Sequence, residues 1–440
     1  MSSIYYSRRP SVVAVQIFAC AALIIGFCQP AAAATSCVNP GGTSGCFSTI
    51  GAAVAAASAG DTIHVAPGTY TEDVVIGNSL SLVGSGPDKT IIDATGLANG
   101  VYVDGLDNPG LKNVVVTGFT LENANFEGLL VTNASSVAVW NNHMVNNDKA
   151  LDAATSSCAG LPSFETDEGF DCGGGLHLMG VSHSSVADNI FENNGDGLLM
   201  SDDTGQTHDN LIVFNISREN PFDCGIVLAS HPPGPGSSAA HNGIVHNTLA
   251  FNQSIHNGFQ VPGAGAGIGI FSDGTGPGLV SGNSILFNEL SNNGLPGVAF
   301  HSHVGPAFGL PPDNLNNNVI VGNHISGNGP DLFDTPTPGP TGININSGGG
   351  GTPITGTVIS GNVIDNEAVD IAVNTPAELD AHRNNLLGEG IGVDNLGPGT
   401  VNAAKNWWGC RGGPGSGSEE CSTVSGNGVN FTPWLKHPAE

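Results

Sequence analysis

A short phrase recurs along this chain and limits what it can become: glycine, apolar residue, any residue, apolar residue, then a polar turn. It reads Gly128-Leu129-Leu130-Val131, Gly175-Leu176-His177-Leu178, Gly197-Leu198-Leu199-Met200 and Gly225-Ile226-Val227-Leu228. It continues with Gly267-Ile268-Gly269-Ile270, Gly297-Val298-Ala299-Phe300, Gly342-Ile343-Asn344-Ile345 and Gly390-Ile391-Gly392-Val393. Alternation of period two marks a strand with one buried face. Recurrence at roughly 20–45 residues marks a solenoid, whose coils each repeat one unit. Stacking sets equivalent residues of distant segments side by side, so the repeat is also a map of the surface.

A length of 440 residues alone implies about three domains, but a solenoid is one continuous stack. The 65 glycines and only 11% charged residues fit tight β turns, and 39% apolar residues argue against a disordered chain. Residues 1–34 read as a signal peptide, with Arg8 and Arg9, an apolar run from Val12 to Phe27, and a small-x-small cleavage site at Ala32-Ala33-Ala34. That run is too short and wrongly flanked for a membrane anchor. The expectation is a secreted, periplasmic or cell-surface protein, with no membrane insertion after cleavage and residues 35–440 as its single domain. Without Arg8 and Arg9 the chain keeps 8 basic against 38 acidic residues, a formal −30. This excludes a nucleic-acid partner, which needs a cationic surface. It also disfavours unaided binding of a polyanionic sugar, which bound Ca²⁺ would change.

Seven of the nine cysteines remain in the mature chain. An exported protein makes disulfides, and the local pairs are Cys37–Cys46, Cys158–Cys172 and Cys410–Cys421, although spacing does not determine connectivity. Cys224 precedes a core strand and reads as a buried free thiol.

Ser48 to Ser58 has helix-like apolar spacing just before a first strand at Thr62-Ile63-His64-Val65. A short helix there covers the open end of the stack against edge pairing. Asp73-Val74-Val75-Ile76, Ser79 to Val83 and Thr90-Ile91-Ile92-Asp93 read as three strands per coil. Asn142, Asn189, Asn215, Asn247, Asn288, Asn323 and Asn362 form a column. An inward Asn at a bend can bond to its equivalent one coil on, an amide ladder that satisfies buried polar groups.

The opening Ala66-Pro67-Gly68-Thr69-Tyr70, the Asn-x-apolar-x-x-Asn coils and the closing Lys405-Asn406-Trp407-Trp408-Gly409 resemble exported bacterial β-helix repeat proteins of the pectin-lyase-like superfamily. The resemblance runs over residues 45–435. It implies an all-β, single-stranded right-handed parallel β-helix of about ten coils with a short N-terminal capping helix. The superfamily includes lyases, hydrolases, epimerases and non-catalytic proteins, so the fold leaves the activity open. In its geometry the Gly-led strand is the first of each coil, and its outer face floors a substrate groove. Two inserts, residues 153–174 with its disulfide and acidic run and Gly305 to Asn317, are loops of the kind that line a functional face. Trp407-Trp408 reads as an end cap.

Counting from each glycine, positions one and three are apolar and point inward. Position two then faces out: Leu130, His177, Leu199, Val227, Gly269, Ala299, Asn344 and Gly392. Position four gives Met179, Ser201, Ala229, Phe271, His301, Asn346 and Asp394. Position six gives Asp203, His231, Asp273 and His303 on four successive coils. Adjacent parallel strands lie about 4.8 Å apart, so carboxylate and imidazole alternate up one wall. Each His there stabilises a neighbouring carboxylate and has its own pKa raised. Turn preferences account for the aspartates but poorly for the histidines.

Four chemistries fit this wall. Asp203 and Asp273, two coils or roughly 9–10 Å apart along the backbone, suit an inverting glycoside hydrolase, whose carboxyls are about 6.5–9.5 Å apart. One would protonate the leaving oxygen and the other activate water, with His231 between them. The polygalacturonase signatures Asn-Thr-Asp, Gly-His-Gly and Arg-Ile-Lys are absent. A lyase or C5-epimerase would use His231 or His303 as base with Ca²⁺ held by acids, but cations are scarce and the epimerase Asp-Pro-His-Asp motif is missing. Mixed Asp and His ligands suit Zn, Cu or Ni in a metal-binding protein, while Glu165, Asp167 and Asp171 suit Ca²⁺. A glycan binder or adhesin would use the small floor of Ala229, Gly269 and Ala299 around Phe271. The leading expectation is a hydrolase acting on a polysaccharide or oligosaccharide. Asp203, Asp273, His231 and His303 are its catalytic candidates, and His177, Asp202, Phe271, His301, Asn344 and Asn346 its substrate-binding ones.

Overall fold

The computed structural model describes residues 33–167, 172–231, 242–261, 264–272, 277–303, 305–333, 335–348, 351–388, 390–416 and 421–440. All but the last two residues of the expected signal peptide lie outside these, as do Asp171 and Asp273. Among the described residues no helix is long and apolar enough to cross a membrane.

Each full coil contributes three strands, and strands of like rank pair in parallel into sheets of 12, 14 and 11 strands, here sheets I, II and III. One coil runs Gly174–Met179 in sheet I, Ser185–Ala187 in sheet II and Ile190–Glu192 in sheet III. It then returns to sheet I at Asp196–Ser201. Every Gly-led phrase lies on sheet I. It has twelve strands against the eight phrases quoted, because Val101–Asp104 after Gly100 also belongs to it, and Val74–Ile76, Val369–Asn374 and Thr423–Gly426 join it without a leading glycine.

Positions one and three fill the core. Leu198, Ile226, Ile268, Val298 and Ile343 stand in one register column and Met200, Leu228, Ile270, Phe300 and Ile345 in the next, all fully buried. Burying one such side chain contributes about 1.5–3 kcal/mol, so a column repeated coil after coil pins the register. Asp394 departs from the expected count. It pairs with Ala372 and so joins the column of Asn344, two residues from the position assigned by counting from Gly390.

Three amide ladders hold the corners, where one was expected. Between sheets II and III, Asn142, Asn189, Asn215, Asn252, Asn288, Asn323, Asn362, Asn384 and Asn406 each bond to the next. Asn247 is not among them. It belongs to a second ladder at the corner from sheet I to sheet II, with Asn210, Asn283 and Asn318. A third, from Asn147 through Asn194, Asn220, Asn257, Asn293 and Asn328, ends on Glu367 Oε1. In the first ladder Asp188, Phe214, Phe251 and Phe287 precede the asparagine at φ of 54–58°. A left-handed Phe costs about 1–2 kcal/mol. The three rings offset part of that cost by stacking at 5.3 Å centroid spacing.

The N-terminal helix is Ile50–Ala56, shorter than Ser48 to Ser58, because Thr49 caps it and Ala57 is extended. The Glu72 carboxylate accepts from Ile50 N–H and Gly51 N–H, both at 2.8 Å. Ile50, Ala53 and Val54 face the core. The strand Thr35–Val38 precedes the expected first strand and pairs with it, tied by Cys37–Cys46. Cys158–Cys172 and Cys410–Cys421 are also bonded. Cys224 is a buried thiol that accepts from Ala266 N–H at 3.3 Å. Trp408 is fully buried near Phe431 at the C-terminal end.

Candidate functional site: a covered cluster of carboxylates and histidines

Positions two and four of sheet I point away from the core, as the alternation requires. They do not form an open floor. His177, Ser201, Ala229, Ala299, His301, Asn344 and Asn346 are all buried, because loops close over them. In the middle, Leu199, Val227, Ala229 and Ala299 make a second apolar cluster with Cys224, Ala266 and Leu295, and Phe271 packs on it half-buried. The Phe271 ring lies over Gly269, where a Cβ would sit 2.6 Å from it.

Beside the strands Gly174–Met179 and Asp196–Ser201 the insert lays Glu165 and Thr166 onto the floor. Asp203 and His231 occupy equivalent places on adjacent coils, both buried, with His231 Nδ1 3.2 Å from Asp203 Oδ2. The Thr166 hydroxyl donates to the other Asp203 oxygen. Asp202 accepts from His231 N–H at 2.8 Å and from the Ser230 hydroxyl at 2.7 Å. His177 joins Glu127 Oε1 at 3.3 Å through Nδ1 and Ser201 Oγ at 2.8 Å through Nε2.

These carboxyls do not behave alike. Burial, then the nearby charges of Glu127 and Asp203, push Glu165 up to about 10. Burial alone would also raise Asp203, but the His231 bond and charge, the Thr166 bond and the His177 charge outweigh it and hold Asp203 below its ordinary value. Burial raises Asp202 despite its bonds from His231 and Ser230. One carboxyl that keeps its proton therefore neighbours one that has lost it, the division of labour acid–base chemistry needs.

Two members escape sequence reasoning. Glu127 precedes the phrase at Gly128 and stands in register opposite Gly174, which pairs with Asp196. Asp148, after a ladder asparagine, packs on Gly195, where a Cβ would meet its Oδ2 at 1.9 Å. Burial and then the charge of Glu127 raise Asp148 to about 9. An acid directly before the glycine (Glu127, Asp196) was the available signal.

Two coils beyond His231, His301 Nε2 is 2.9 Å from Asp331 Oδ2 and its ring stacks on Phe271 at 4.6 Å. Burial works against Asp331, but the His301 bond and charge and donors from Thr335 and Phe333 N–H take it down to about 2. Asn344 Nδ2 donates to Thr335 O at 3.0 Å, and Asn346 Oδ1 accepts from Gly348 N–H at 2.9 Å. His303 is exposed and lies beside His301 and Phe271.

Of the expected acidic triad, Asp171 lies outside the described residues. Asp167 is exposed, while Glu165 is buried with Glu127 and His177, and the three offer ligand atoms within 4.8 Å of one another. Two carboxylates and an imidazole fit a divalent cation.

The family described as right handed beta helix region matches residues 88–285. This chain is a right-handed parallel β-helix protein. No curated protein matches it. Among solved structures, the β-helix is similar to the ORF18 protein of Geobacillus virus E2, at 14% identity and TM-score 0.45 over 82% of this chain and 57% of that one. It is similar to the Dettilon tailspike protein at 12% identity and TM-score 0.51, over 84% of this chain and 62% of that one. It is also similar to the catalytic unit of the α-1,3-glucanase from Streptomyces thermodiastaticus strain HF3-3, at 15% identity and TM-score 0.47, over 87% and 65%. The chain thus spans less than two thirds of each of these three, and the likeness is one of fold.

Proposed function

We propose that this β-helix is an exported carbohydrate-active enzyme that hydrolyses a polysaccharide or oligosaccharide at the Asp203–His231 pair beside the central strands of sheet I. One observation carries the reading: Glu165, raised to about 10, lies within the electrostatic reach of Asp203, which is held ionised. Glu165 is the general acid that protonates the leaving oxygen, and Asp203 is the base or nucleophile oriented by His231. Asp273, next in the column after His231, and His303 remain further acid–base candidates. His177, Asp202, Phe271, His301, Asn344 and Asn346 are the candidates for holding sugar. All but Phe271 are buried, His177 and Asp202 on the Glu165–Thr166 side and His301 and Asn344 on the Asp331–Thr335 side. The substrate class rests on the resemblance to the pectin-lyase-like superfamily.

The buried Glu127–Glu165–His177 group favours a second reading, a cation-dependent lyase or epimerase. The two readings exclude each other at Glu165, which holds either a proton or a cation. A glycan library assayed with and without chelator separates them. New reducing ends that survive chelation and vanish in Glu165→Gln support hydrolysis. An unsaturated, ultraviolet-absorbing product lost on chelation supports the lyase. Tight binding of a glycan with no product overturns both and leaves a glycan binder.

A further inference from the structure

The corner from sheet I to sheet II carries a second, exposed cluster. His183, Asp209 and His246 precede the inward Ser184, Asn210 and Asn247 on three consecutive coils. Pairing of Ser182 with His208 and of His208 with Val245 sets the three in one column. All three are left-handed, with φ of 51°, 55° and 57°, so their side chains leave the corner in the same sense. The ladder behind them holds the spacing: Ser184 N–H donates to Asn210, and Asn210 N–H to Asn247, each at 3.0 Å.

His208 Nδ1 is 2.8 Å from Asp209 Oδ2, and His183 Nδ1 is 4.0 Å from the same oxygen. The two imidazoles meet edge to face with centroids 5.4 Å apart. Ligand atoms of His183, His208 and Asp209 all lie within 4.8 Å of one another. The charges of His208, His183 and His246 all act on Asp209.

We infer that His183, His208 and Asp209 form a surface site for a divalent transition-metal cation of the zinc type, bridging two coils, with solvent in the remaining position. Zinc takes imidazole nitrogens at about 2.0–2.1 Å and carboxylate oxygens at about 2.0–2.2 Å in a tetrahedron. Ligand atoms of such a tetrahedron lie about 3.4 Å apart, so His183 closes in from 4.0 Å and the 2.8 Å His208–Asp209 contact opens as the cation enters. Calcium, which takes six or more oxygens, does not fit two imidazoles and one carboxylate. The site is separate from the Asp203–His231 cluster and does not depend on the reading given for it.

The test is calorimetric titration of ZnCl₂ into the full chain. The wild type is expected to take up an equivalent of zinc that the His183→Ala/His208→Ala variant binds at least tenfold more weakly. His177→Ala separates this equivalent from any zinc held by the buried group, and is expected to leave it unchanged. Because His183 and His208 are surface residues, the double variant should melt with the wild type in chelator, and only the wild type should gain melting temperature on adding zinc. Equal zinc affinity and stoichiometry in wild type and double variant would overturn the inference. So would loss of the tight equivalent in His177→Ala alone.

Discussion

Asp203 and His231, 28 residues apart in sequence, meet side chain to side chain at 3.2 Å in a buried setting. Replacing Asp203 by Asn removes the carboxylate charge that His231 Nδ1 faces. Breaking a buried pair from one side typically costs about 3–5 kcal/mol. Asp203→Asn should therefore unfold at lower urea by roughly that amount. On any glycan the wild type cleaves, it should turn over about 10²–10⁴-fold more slowly. Unchanged stability and turnover would show the pair to be incidental.

Glu165 gives a pH signature. Its folded value, about 10, stands above the ordinary carboxylate value. The folded state thus binds a proton that the unfolded chain releases, and stability declines as pH rises between the two values. Asp148, raised to about 9, and Glu367, raised to about 7, act in the same direction. Melting temperature is expected to fall from pH 5 to pH 9, and Glu165→Gln should flatten part of that slope. Asp203 works oppositely, stabilising above its unfolded value and failing as pH drops through its folded one. Calorimetric scans of wild type and Glu165→Gln across this range check the first sign, and scans of wild type and Asp203→Asn taken below about pH 4 check the second.

The ladders can be tested one rung at a time. Asn252 accepts from Asn215 N–H and Asn215 Nδ2, and donates to Ile212 O and Asn288 Oδ1, all at 2.9–3.0 Å. Asn252→Ala strands these buried groups and should cost about 3 kcal/mol. Its neighbour Phe251 is exposed and left-handed. Phe251→Asn relieves that strain but loses two ring stacks, so chemical denaturation should find it within about 0.5 kcal/mol of wild type.

Much of the architecture was readable because it repeats. The glycine-led phrase marks sheet I since each coil must bury the same two positions. The ladders were harder. Asn247 and Asn252 flank one short strand and look alike in sequence, yet they turn different corners. Glu127 was missed because one acid before a glycine reads as a turn residue; only register brings it opposite Gly174. The covered floor was not readable at all, since the loops that lay Glu165, Thr166, Asp331 and Thr335 over it obey no repeat.

Gly174 makes a fourth test. A Cβ on Gly174 would stand 1.5 Å from Asp196 Oδ1 and 2.8 Å from its backbone oxygen. No rotamer change relieves a backbone clash. Gly174→Ala should lose about 3 kcal/mol or more by denaturant unfolding, and a mild effect would mean the strands can part locally.

Successive rungs of the first ladder are separated by 47, 26, 37, 36, 35, 39, 22 and 22 residues. Twenty-two residues are thus enough to go once around, and the corner bonds are the same whatever the length. Anything beyond that minimum is free of the stacking contract. Insertions and deletions beside sheet I can rewrite what the molecule touches while every rung stays in place, so substrate choice in such a chain can drift without a change in the frame that carries it.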